Sequence, residues 1–162
     1  MAINLAAENL QEHHGRPFGA VLVKNSEVIA TGVNQILLTQ DPTSHAELSA
    51  IRAASQVLES PRLDGCVIYA SGQPCPMCLA AMHMTGIKEV YYALSNDDGE
   101  AVGLSTARIY EQMQKPLAEQ SIKITHTPPG WSPRPSVRRM EAPSAKNLRR
   151  IGFRRKLTGT FA

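Results

Sequence analysis

The chain has 162 residues, 43% hydrophobic and 19% charged, with a formal net charge of +3, a composition that fits one compact globular domain. A chain of this length buries about 68–70% of its unfolded surface, and three cysteines are too few for a bridge framework, so a disulfide mini-protein is excluded. The opening Met1-Ala2-Ile3-Asn4-Leu5 lacks the basic start and long apolar stretch of a secretory signal, and no apolar run approaches the ~18 residues of a membrane span. A cytoplasmic protein without a membrane segment is expected.

The element pattern begins with a short helix from Ala2 to about His13, closed by Gly15 and Pro17. Two β-branched runs follow, residues 18–24 and 27–31, separated by Asn25-Ser26; they predict an antiparallel hairpin. A polar loop carrying Asn34 and Asp41-Pro42 leads to Ser44, the expected cap of a helix over residues 45–58. His45 and Glu47 then fall in its first turn. Residues 66–70 predict a third strand. Pro76 and Gly86 mark the start and end of a second long helix, with Cys75 and Cys78 at its N-terminus. Residues 89–93 predict a fourth strand, 105–120 a helix and 122–125 a short fifth strand. That order predicts an α/β fold with three layers, helices on both faces of a five-stranded mixed sheet.

Charge divides the chain. Residues 1–130 hold 8 Lys/Arg against 13 Asp/Glu, net −5, whereas residues 131–162 hold 9 Lys/Arg and one acid, Glu141, net +8. Residues 1–127 are therefore expected to form the working domain, and the Pro-rich start at 128–135 to introduce a basic C-terminal extension over 128–162.

Cys75-Pro76-Met77-Cys78 by itself is ambiguous among half a structural zinc site, a redox dithiol and part of a catalytic zinc site. The remaining cysteine, Cys66, lies in an apolar strand and reads as a buried structural thiol, which weakens a four-thiolate site. A catalytic zinc takes three protein ligands and keeps a fourth position for water, whose pKa it lowers toward ~7. His45-Ala46-Glu47 offers a third ligand beside a proton carrier. The helix N-terminus at Cys75 also favours anionic ligands, by about 0.3–1 kcal/mol.

H-x-E followed about thirty residues later by P-C-x-x-C is the signature of zinc-dependent nucleobase deaminases. With Pro17-Phe18-Gly19-Ala20-Val21, Gly32-Val33-Asn34, Asp41 through Glu47, Ala50-Ile51-Arg52, Pro74 through Cys78, and Ile109-Tyr110 to Lys115-Pro116, residues 1–127 resemble the cytidine deaminase superfamily, in its guanine and nucleoside deaminase branch. The resemblance implies that His45, Cys75 and Cys78 bind one zinc and that Glu47 shuttles protons. It implies too that Asn34, the Ala46 amide and the Phe18 ring hold a nucleobase or nucleoside, which loses an exocyclic amine as ammonia.

Two departures bear on the substrate: Thr106 stands where that branch carries an acid, and Met84 where it carries an aromatic residue. Asp97 and Asp98 are nearby acids, expected in a solvated loop. The resemblance implies a homodimer, with a C-terminal segment exchanged between protomers as one reading of the tail and Phe161 as a lid residue. A docked or disordered tail, and an RNA-binding one, are the others. A tRNA adenosine deaminase, which shares H-A-E and P-C-P-M-C, is the alternative function; a non-enzymatic metal- or RNA-binding module or a thiol redox protein would not need Glu47.

Overall fold

The structure, a computed structural model, describes residues 1–12 and 15–130. The expectations placed on residues 131–162, including the exchanged lid and Phe161, lie outside the described residues. One compact unit spans Met1–Ser121. It begins with helix α1 (Ala2–Gln11), followed by strands β1 (Gly19–Lys24) and β2 (Glu27–Val33), the single turn α2 (Ile36–Thr39) and helix α3 (Ala46–Val57). Strand β3 (Cys66–Gly72), helix α4 (Pro76–Thr85), strand β4 (Glu89–Leu94), and the short helices α5 (Asn96–Glu100) and α6 (Ala107–Met113) complete it, with a 3-10 turn at Leu117–Glu119.

The hairpin forms where the turn residues permit it. Asn25 and Ser26 both take positive φ, 51° and 65°, the handedness that matches the twist of two antiparallel strands joined by two residues. The sheet runs β2-β1-β3-β4; β1 pairs antiparallel with β2 and β3, and β3 pairs parallel with β4. Side chains alternate faces along β1. A Cβ at Gly19 would strike Ala2 O and Ala6 N of α1, whereas one at Gly32, which pairs with Ala20, would strike Ala46 O and Ala50 N of α3. Helices α1 and α3 therefore cover opposite faces, which gives the three layers. The main core lies on the α3 face, where Leu22, Leu63, Ile68, Cys66, Cys78 and Met82 are all but fully buried.

The structure corrects four expectations. Among the described residues the sheet has four strands, not five: residues 122–125 form no strand. Ile122 and Ile124 are 71% and 52% exposed, and alternation that buries no face does not specify pairing. The helix expected over 105–120 is only α6, because Pro116 cannot continue it; the chain resumes as a 3-10 turn. Ser44 does not cap α3. Its hydroxyl donates to Asp41 Oδ2 at 3.0 Å and accepts from Thr39 Oγ1, so the cap position passes to His45. The stretch with Asp97 and Asp98 is helical, since Ser95 and Asp98 form a reciprocal capping box.

Candidate active site

Two helix N-termini carry the site. His45 is the N-cap of α3 in extended backbone, φ −77° and ψ 154°, which turns its ring out of the helix and leaves Glu47 at the second helical position. Cys75 is the N-cap of α4, φ −71° and ψ 165°, with Pro76 at the first helical position. That proline holds Cys75 extended. Cys78 follows one turn later, and its N–H donates to Cys75 Sγ at 3.5 Å.

The side chains converge. His45 Nδ1 lies 3.5 Å from Cys75 Sγ and 3.6 Å from Cys78 Sγ, and the two sulfurs are 3.5 Å apart. A tetrahedral zinc with ligand distances of ~2.0–2.3 Å requires donor separations of about 3.6–3.8 Å, so the spacing and the N/S chemistry of this triad both fit that ion. Among the described residues these three are the group of His, Cys, Asp and Glu able to hold a metal. Glu47 stands beside the triad rather than within it; its Oε2 accepts from the Cys78 thiol at 3.5 Å.

Electrostatics follow from burial and proximity. The hydrogen bond shared with Cys78, and then the one to His45, pull Cys75 down to about 4 against the opposing effect of burial. Cys78 is correspondingly pushed up by its bond to Cys75, by burial and by Glu47. His45 is raised, first by Cys75. Glu47, only 7% exposed, is raised chiefly by desolvation. Without metal the cluster retains protons that binding must release, because only thiolates and neutral imidazole ligate.

Of the other expected site residues, Ala46 stands between His45 and Glu47, whereas Asn34 and Phe18 come from the segments before α3. Asn34 is buried; its N–H donates to Phe18 O and its Oδ1 accepts from Ile36 N–H at 3.2 Å, so its amide Nδ2 is the group it can offer a ligand. Ala46 is the first residue of α3, and its N–H has no partner within the helix. The Phe18 ring lies over Gly72, where a Cβ would approach Cε1 to 3.0 Å.

Two residues not singled out from the sequence support this arrangement. Asn9, buried in α1, donates through Nδ2 to Arg16 O and Asn34 O; a polar residue on the inward side of a helix was its only signal. Tyr110 of α6 donates to Pro74 O at 2.6 Å. Its segment had stood out by resemblance, without a role.

Residues 1–94 match the family model described as cytidine and deoxycytidylate deaminase zinc-binding region. The chain belongs to this family. It is a zinc-dependent hydrolytic deaminase, and no helix among its described residues is long and apolar enough to cross a membrane. Among its relatives, guanine deaminase of Bacillus subtilis (strain 168) is 43% identical over 121 residues, 75% of this deaminase and 78% of that one. A tRNA-specific adenosine deaminase of Agrobacterium fabrum is 38% identical over 106 residues, 65% and 69% of the respective chains. The X-ray structure of guanine deaminase from Bacillus subtilis superposes with a TM-score of 0.74 at 41% identity, covering 78% of this chain and 80% of that one.

Proposed function

We propose that this deaminase acts on guanine or a closely related free base, converting the amine-bearing ring carbon to a carbonyl and releasing ammonia. The observation that carries this is the 43% identity to a guanine deaminase over 121 residues, a longer stretch than the 94 residues of the zinc-binding region alone. In this reading His45, Cys75 and Cys78 hold the zinc, which supplies Lewis acidity toward water at neutral pH. Asn34 Nδ2 donates to a ring acceptor of the base, the Ala46 N–H donates to a second, and the Phe18 ring packs on the base. Glu47 takes a proton from water as oxygen bonds to the ring carbon and passes it to a ring nitrogen. The same carboxylate then takes the remaining hydroxyl proton of the tetrahedral adduct and delivers it to the departing amine, as the C–N bond breaks and the carbonyl forms. Burial, which raises Glu47 above the ordinary carboxyl range, suits it to holding that proton in transit.

Residues 1–127 are proposed as the deaminase domain, 128–162 as its basic extension, and the assembly as a homodimer, to be read by light scattering on the full chain and on one ending at 127. The test of function is ammonia release from guanine, adenine, cytosine, their nucleosides and amino-triazines, run beside inosine formation in tRNA. Turnover of guanine is the expected result. Turnover confined to tRNA would overturn the proposal in favour of the adenosine-editing relatives.

A further inference from the structure

The segment that delivers Cys75 has almost no freedom of its own. Pro74 presets its φ through its ring, and Pro76 restricts Cys75 to extended backbone, as observed at φ −71° and ψ 165°. Between them one soft element remains, the peptide plane joining Pro74 to Cys75, whose tilt sets where the Cys75 side chain starts. That plane carries Pro74 O, and the Tyr110 hydroxyl donates to it at 2.6 Å. Upstream, Gln73 N–H donates to Leu94 O at 2.7 Å, and Gln73 Oε1 accepts from Asn96 N–H at 3.1 Å. Asn96 Oδ1 in turn accepts from both the N–H and the hydroxyl of Thr106, the N-cap of α6, at 2.9 and 3.1 Å. Helix α6 is thus tied to residues 73–74 at two points, through Thr106 and Asn96 at its start and through Tyr110 in its middle turn.

We infer that α6 is a clamp on the metal-binding segment and that Tyr110 is a positioning residue, locking the Pro74–Cys75 peptide so that Cys75 Sγ stays aimed at His45 and Cys78. The inference rests on reading Cys75 as a zinc ligand. Releasing the plane does not remove a ligand. It lets the sulfur swing, so the metal leaves faster while the empty protein is scarcely altered.

The test is the rate of zinc release from the full-length, zinc-loaded protein into an excess of a chromophoric chelator. Tyr110→Phe removes one oxygen and keeps the ring; release about tenfold faster is expected, the scale on which partners of metal ligands act. The melting temperature of its metal-free form should match the parent. Tyr91→Phe, on the exposed ring stacked against Tyr69 in the sheet, should release zinc at the parental rate. Asn96→Ala cuts the other tie, removing both bonds from Thr106, and should accelerate release about threefold, the low end of what lost hydrogen bonds give; it decides the matter if Tyr110→Phe does not fold. Parental release rates in the folded variants, or equal acceleration by Tyr91→Phe, would overturn the clamp. Cys75→Ser separates the two ideas: loss of zinc is expected, and full retention would mean that the ligand assignment, not the clamp, has failed.

Discussion

Glu47 and Cys78 meet at 3.5 Å, which makes the proposed division of labour between ligand and proton carrier a matter of single residues. The carboxyl is buried and held above its ordinary range by desolvation, so it gives up a proton less readily than a surface glutamate. Glu47→Gln keeps size and burial, removes the titratable group, and leaves the three donors in place. It is expected to retain about one zinc per chain by metal analysis while turnover falls about 10²–10⁴-fold. His45→Ala should do the reverse in order of cause, losing the metal first and activity with it. Undiminished turnover in the first variant, or full zinc in the second, would contradict the assigned roles. Asn34 shows why roles at this scale need coordinates: the sequence marks it as polar in a loop, but only its bond from Ile36 N–H shows that Oδ1 is engaged and leaves Nδ2 as the donor the proposed role requires.

Among the elements, α3 matters most because both His45 and Glu47 ride on its N-terminus. It sits against β2 at Gly32, where a Cβ would lie 2.2 Å from Ala46 O and 2.6 Å from Ala50 N. These are backbone atoms, which cannot swing aside. Gly32→Ala should therefore destabilise the fold by about 1–3 kcal/mol, read from denaturant midpoints, and lower activity even at temperatures where the variant remains folded. The approach to α3 is held by Asp41, whose carboxylate accepts from Thr43 N–H at 2.8 Å and from the Thr43 and Ser44 hydroxyls. The Thr43 backbone bond, then its hydroxyl, hold Asp41 below its ordinary value of 3.8. A carboxyl whose folded pKa lies below its unfolded one contributes stability that is present above the unfolded value and disappears as pH falls through the folded one. Asp41→Asn should thus make the acid limb of a stability profile shallower below about pH 4, relative to the parent, in urea midpoints taken from pH 6 to 3. An unchanged slope would count against this loop as a titrating support.

For the whole molecule, metal and folding are linked, since the donor triad unites the N-termini of two helices separated by β3. Zinc at a hundredfold excess over its dissociation constant stabilises the native state by ~2.7 kcal/mol, so stripping it with a chelator should lower the melting temperature by roughly 10 °C. Calorimetry with and without chelator checks this, and coincident melts would mean that the native fold holds no tightly bound metal. The hairpin, α3, α4 and strands β1 to β4 were legible because turn residues, Pro76, Gly86 and apolar runs act locally. Residues 122–125 and the helix over 105–120 were not, for different reasons: a strand exists only through a partner, and Pro116 cut short a pattern that continued past it.

From the sequence alone came the expected chemistry of the site, because H-A-E and P-C-P-M-C together carry the resemblance that implies the donor set. Tertiary structure decided the rest. It brought Nδ1 and the two sulfurs to within 3.6 Å, moved the cap of α3 from Ser44 to His45 because Asp41 had engaged Ser44, and set Tyr110 on Pro74. Each of these depends on distances between residues far apart in the chain, and packing fixes such distances where local pattern does not.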